Sequence, residues 1–182
     1  MFDVCFLSCS GYCLWPSTAS LPDGSKYSYH IGNSNLKDRD LLKEFATTMN
    51  DNGLGHGFYY SLTNNFYLNV LHNVVQSNST ILPNQEDVSQ EEFEAIALHQ
   101  IEEIWSNYGD LTEIWFDGGY TTSMKDSVTS LLAKYQPNAL AFGGFGISPN
   151  PAAWVGTETG KFSICVGVRS HRLMMGGLEF RL

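Results

Sequence analysis

Residues Glu113 to Gly119, reading EIWFDGG, bring together residue types from which a catalytic centre can be made. Read as a strand, the segment alternates its side chains: Glu113, Trp115 and Asp117 fall on one side, Ile114 and Phe116 on the other. The Ile/Phe side suits burial against helices. The other side presents an indole two residues before a carboxylate, and two glycines then turn the chain away. In α/β architectures, sites are built at the C-terminal ends of strands. Asp117 is therefore the principal catalytic candidate. A strand-terminal Asp also starts an Asx turn without doing chemistry, and the spacing alone fits both readings.

Composition narrows what such a site acts on. The chain has 182 residues, 43% of them hydrophobic and 16% charged, which predicts a single globular domain. Its 4 Trp, 9 Tyr and 11 Phe are compatible with a carbohydrate site, where sugar C–H faces pack on rings, though such an excess is more often just core. A net charge of −9 argues against nucleic-acid or anionic-membrane partners, because phosphate binding needs clustered Lys and Arg. Cys5, Cys9 and Cys13 recur every four residues and Cys165 stands apart, which is not zinc-ligand spacing. The five histidines show no paired spacing, so neither a metal nor another cofactor is expected. No run of about 18 apolar residues predicts a membrane span. Met1 to Trp15 lacks a basic start and makes a poor signal peptide. Asn78-Ser79-Thr80 is a glycosylation sequon in a polar loop.

The elements that must position Asp117 can be read in order. Residues 2–15 form an apolar run broken by Gly11, and 16–35 read as loop. Asp38 is expected to open a helix carrying Leu41, Leu42, Phe45 and Met49, ended by Asn52-Gly53. A strand is expected at His56–Ser61, followed by a polar connection over 62–88 with no clear period. Ser89-Gln90-Glu91-Glu92 is a capping box, and Phe93, Ala97, Ile101, Ile104, Trp105 and Tyr108 recur at helical steps behind it. A third helix is expected over Ser123–Tyr135, then strands at Ala139–Phe142 and Trp154–Glu158. Helix, short turn, strand, three times over, is the alternation of a parallel sheet. Short helix-to-strand turns and long strand-to-helix connections match a (β/α)8 barrel, which needs about 250 residues. The expected fold is thus α/β, a partial TIM barrel with parallel strands over 1–160 lacking N-terminal strands, followed by a divergent tail over 161–182.

LWPS (14–17), RDLLKEF (39–45), GFYYS (57–61), NYGDLTEIWFDGG (107–119), YQPNA (135–139) and WVGTETG (154–160) together resemble glycoside hydrolase family 29, the α-L-fucosidases. The resemblance runs from about Gly11 to Gly160. It implies a retaining two-carboxylate mechanism acting on fucosylated glycans, in parent proteins that are secreted or lysosomal. The aspartate of the family's IWFDG motif is the nucleophile and falls on Asp117. The tryptophan two residues earlier lines the fucose pocket and falls on Trp115; the strand-four tyrosine falls on Tyr59, and since Tyr59 and Tyr60 must face opposite sides of the sheet, Tyr60 is the alternative one residue away. In the branch reading WVGNE-x-G the glutamate is the acid/base, which falls on Glu158. Trp154 is a candidate substrate-binding residue, and a hydrophobic surround of this kind raises an acid's pKa by desolvation. Retaining hydrolysis needs two carboxyls about 5–5.5 Å apart.

One departure is specific. The family carries Lys-His at the strand end before GF/GYCLW, and the histidine binds fucose hydroxyls. Here Leu7-Ser8-Cys9-Ser10 stand in that place. Two expectations follow: an α-L-fucosidase-like retaining hydrolase with little or no activity in this chain, or, as the alternative, a catalytically inactive fragment or weak sugar-binding remnant.

Overall fold

Helix, short turn and strand recur three times, and the strands align in parallel. The computed structural model describes residues 2–6, 10–77, 80–117, 119–153, 172–175 and 178–181. Glu158, Trp154, Ser8, Cys9, Cys165 and the first two residues of the sequon lie outside the described residues. The elements in chain order are β1 (Phe2–Phe6), a 3-10 turn (Ile31–Asn33), α1 (Leu41–Asp51), β2 (Gly55–Ser61), β3 (Asn64–Asn65), β4 (Val70–Leu71) and β5 (Val74–Val75). They continue with α2 (Gln90–Asn107), β6 (Glu113–Asp117), α3 (Lys125–Tyr135), β7 (Leu140–Phe142), β8 (Pro151–Ala153), β9 (Arg172–Met175) and β10 (Leu178–Arg181).

The main sheet has the order β1-β2-β6-β7-β8-β9-β10. Every neighbouring pair in it is parallel except β9 with β10, which is antiparallel. The architecture is mixed α/β on a mainly parallel sheet. Among the described residues β1 and β10 end the sheet without joining, so no closed barrel forms. β9 and β10 lie beyond the stretch that carries the family motifs, yet they extend the sheet from β8.

Helix boundaries differ from the sequence reading where tertiary contacts intervene. α1 is capped by Asp40, whose carboxylate accepts from the Lys43 amide at 3.0 Å, rather than by Asp38. The Tyr108 hydroxyl donates to the same Asp40 at 3.0 Å, which ties the cap to the end of α2. α3 begins at Lys125 because the Ser123 hydroxyl bonds Glu94 on α2 instead of capping its own helix. The capping box of α2 is present in full. The connection 62–88 is not featureless: β3, β4 and β5 form a small antiparallel sheet. His72 and Asn73 both adopt positive φ between β4 and β5, as a two-residue primed turn requires. Strands two residues long are too short for alternation to show in a sequence, and His-Asn is not the usual turn signal.

The helices cover one side of the sheet. Phe58, Ile114 and Phe116 are buried there with Ile101, Ile104 and Trp105 of α2 and Val128 and Leu132 of α3. Gly57 sits where β2 passes β6 closely, and a Cβ at this position would fall 2.3 Å from the Glu113 carbonyl oxygen. The short turn before β6 is stitched by Gln136, buried to 4% exposure. Its amide donates to the Trp105 and Gly109 carbonyls and accepts from the Leu111 amide.

The long segment before α1 is held to α2 by one inward carboxylate, Glu103. It accepts from Trp15 Nε1 at 2.8 Å, Ser17 Oγ at 2.8 Å, the Thr18 amide at 2.6 Å and Thr18 Oγ1 at 2.7 Å. Four donors saturate a charge that burial would otherwise make costly. Glu103→Ala is expected to cost about 2–4 kcal/mol, because it strands several buried donors at once. Glu103→Gln should cost less. Urea unfolding reads the effect as a lowered midpoint at unchanged slope; a change under about 0.5 kcal/mol, the size of a neutral surface substitution, would show that the segment is held otherwise.

Candidate functional site

The strand ends of β2, β6 and β7 set the side chains of interest at one rim. β2 pairs with β6 so that Tyr59 lies opposite Trp115 and Ser61 opposite Asp117; β7 adds Phe142 opposite Trp115. In a parallel ladder, paired residues project from the same face, so Tyr59, Trp115 and Phe142 form one aromatic row on the side away from the helices. Trp115 and Phe142 stack with centroids 5.0 Å apart and planes 25° apart, and Tyr59 tilts against Trp115 at 6.3 Å. Asp117 and Ser61 stand one step nearer the rim, and Asp117 is half-buried. The alternation read from EIWFDGG thus holds: Ile114 and Phe116 are 2% and 3% exposed on the opposite face.

Two contacts fix Asp117. The Tyr59 hydroxyl donates to its Oδ2, orienting the carboxylate along the row. Thr63 Oγ1 donates to its backbone carbonyl at 2.8 Å, holding the strand end. Tyr60 faces the other way and donates to Gln100 on α2 at 2.7 Å. This leaves Tyr59 as the tyrosine beside the carboxylate. Trp154 and Glu158 follow β8 directly in the chain and lie outside the described residues. Phe142 and Thr63 were not singled out by sequence reasoning. Phe142 could have been found as the last residue of a strand preceding Gly143-Gly144, whereas Thr63 has no signal beyond being close to Ser61.

Cys13 is buried at 2% exposure, and burial together with the nearby Glu103 charge pushes its thiol well above the usual range, so it is an unreactive core residue. Among the described residues no group of three or more His, Cys, Asp or Glu side chains is disposed to hold a metal ion. Among the same residues no helix is long and apolar enough to cross a membrane.

Comparison with known proteins bears on this rim. Residues 9–142 match the family model described as Alpha-L-fucosidase. The chain is 26% identical over 158 residues to Alpha-L-fucosidase 1 of Arabidopsis thaliana, covering 82% of this chain and 26% of that protein. A candidate α-L-fucosidase of Bacteroides thetaiotaomicron superposes with a TM-score of 0.61 at 26% identity, covering 77% of this chain and 31% of the other. α-L-Fucosidase AlfC from Lactobacillus casei, in complex with α-L-fucose product, superposes at 0.62 with 20% identity, covering 82% and 54%. The last of these likenesses concerns the fold. The chain spans about a quarter to a half of the length of these relatives.

At the other end of β6, Glu113 is buried to 4% exposure opposite Gly57, and burial pushes its carboxyl up to about 7 from an ordinary 4.5. Its distance along the strand from Asp117 makes it a stability group rather than a partner in chemistry. A raised carboxyl holds its proton longer in the folded than in the unfolded chain, so folding loses stability as pH climbs from about 4.5 to about 7 and the full penalty persists above. Glu113→Gln is expected to match wild type at pH 4 and to be more stable by about 1 kcal/mol or more at pH 8. Urea midpoints at both pH values test this; an equal difference at pH 4 and pH 8 would mean that Glu113 does not titrate in this window.

Proposed function

The chain belongs to the α-L-fucosidase family, and we propose that it carries the nucleophile side of a retaining glycosidase site that removes terminal α-L-fucose from glycoconjugates, on a partial (β/α)8 barrel. The observation that supports this reading best is the aromatic row ending in a tyrosine-bonded carboxylate at the C-terminal rim of parallel strands. In this reading Asp117 attacks the anomeric carbon while the bond to the leaving oxygen breaks, and Glu158 gives that oxygen its proton. A water molecule then attacks the same carbon. Glu158 takes the water's proton, the glycosyl–Asp117 ester breaks, and fucose leaves with its configuration retained. Trp115 and Phe142 offer the apolar face on which the sugar ring rests, Tyr59 orients the nucleophile, and Trp154 is a further sugar-binding residue.

A second reading, sugar binding without turnover, is favoured by one observation: Leu7-Ser8-Cys9-Ser10 occupy the place of the family's hydroxyl-binding Lys-His. Losing such a contact costs about 1–3 kcal/mol when a buried partner is left unpaired, which is roughly one to two decades of rate.

A covalent label separates these readings without needing fast turnover. A fucosyl fluoride with fluorine also at C2 is expected to leave a glycosyl ester on the peptide containing Asp117, detectable by mass spectrometry, and Asp117→Asn should abolish it because an amide cannot form the ester. An adduct on another residue, or labelling that survives in Asp117→Asn, removes Asp117 as nucleophile. Absence of any adduct with fucose binding intact establishes the binding-only reading.

In a structure that includes residues 154–158, the carboxyls of Asp117 and Glu158 are expected about 5–5.5 Å apart. A separation beyond about 10 Å, outside the range of both glycosidase mechanisms, would exclude Glu158 as the acid/base.

A further inference from the structure

Hydrogen bonds trace a closed ring that leaves Asp117 and returns to it. The Asp117 carbonyl accepts from Thr63 Oγ1 at 2.8 Å, and the Thr63 carbonyl accepts from the Asn73 amide at 2.9 Å. The Asn73 carbonyl accepts from Gln90 Nε2 at 3.1 Å, and the same Nε2 donates to Glu94 Oε1 at 3.1 Å. Glu94 Oε1 also accepts from Thr121 Oγ1 and Ser123 Oγ, both at 2.9 Å. From Thr121 the chain runs back to Asp117 in four residues. The ring therefore ties the loop after β2, the first turns of α2 and the loop after β6 into one unit around the proposed nucleophile.

Gln90 uses both amide hydrogens, one on each loop's partner, while its Oε1 accepts from the Val75 amide at 2.9 Å, so the orientation of its amide is set by the network. Glu94 is the ionisable member of the ring: it accepts directly from Thr121 and Ser123 of the loop after β6, and it reaches the loop after β2 through Gln90. Burial alone would raise its carboxyl, but the bonds from Ser123, Gln90 and Thr121 outweigh that and lower it, so it serves as a charged acceptor at neutral pH.

We propose that Glu94, acting through Gln90, Thr121 and Ser123, is a positioning residue that couples the two loops flanking Asp117 so that they hold or release together. This rests on the reading of Asp117 as nucleophile for its functional consequence, but the coupling itself can be measured without it.

The test is hydrogen exchange of the 182-residue chain, followed in peptides covering 62–77 and 119–124. Glu94→Leu is expected to speed exchange in both segments by roughly tenfold, with the peptides of β6 and the rest of α2 unchanged. Glu94→Gln, which keeps an acceptor oxygen in place, should restore protection to within about threefold of wild type, because a neutral acceptor is weaker but still present. Gln90→Leu opens the ring on one side and should release 62–77 while leaving 119–124 protected. Faster exchange in only one segment of Glu94→Leu, or in neither, overturns the coupling. So does a Glu94→Gln variant as loose as Glu94→Leu. Uniform acceleration across the whole chain would mark Glu94 as a general stability residue and overturn the proposal equally. Labelling of Asp117 by the fluorinated fucosyl fluoride supplies the functional arm: where wild type is labelled, Glu94→Leu should be labelled about tenfold more slowly at unchanged Tm. A wild-type chain that takes no label counts against the nucleophile reading, while the exchange pattern still decides the coupling.

Discussion

The parallel pairing of β2 with β6 is the constraint on which the rest of the site depends. It brings Tyr59 level with Trp115 and Ser61 level with Asp117, and a slip of one residue would turn every one of these side chains to the other face. The register is held from both sides. On the helix face Phe58, Ile114 and Phe116 have no alternative place that keeps them dry. Along the ladder itself Gly57 admits the Glu113 backbone at a distance no side chain would tolerate. The same register allows the Tyr59 hydroxyl to reach Asp117 across the strands. A hydrophobic requirement on one face thus fixes a polar geometry on the other.

α2 is the second organising element, and it works through polar contacts at both ends of its buried stripe. Phe93, Ile96, Ala97, Ile101, Ile104 and Trp105 pack it onto the core. Toward its C-terminal half Glu103 gathers the backbone and side chains of Trp15 to Thr18. Near its start Gln90 and Glu94 gather the loops that follow β2 and β6. Loops cannot bury their own backbone groups cheaply. Long βα connections therefore need acceptors supplied by a rigid neighbour, and a capped helix of 18 residues is a suitable one.

Much of this was legible in order along the chain. Period-two alternation in EIWFD, the capping box at Ser89 and the apolar steps of α2 are local signals, and each corresponds to an observed element. The signals that misled were those that a distant partner overrides. Ser123 could cap a helix by its residue type, yet its hydroxyl is taken by Glu94, 29 positions away. Asp38 and Asp40 are equivalent caps in sequence, and Tyr108 holds Asp40. The small sheet over 64–75 has strands of two residues, below the length at which any period exists.

The sequence by itself determined the class of fold, the face of β6 that carries Trp115 and Asp117, and the family motif in which they lie, because these depend on residue type and short spacing. Only the tertiary structure decided that Tyr59 rather than Tyr60 meets Asp117, that Phe142 completes the aromatic row, and that Thr63 and Glu94 belong to the same rim. These depend on strand register and on contacts between residues 27 to 58 positions apart. The free energy of such contacts comes from which groups find one another after the chain has folded, and no local pattern encodes it.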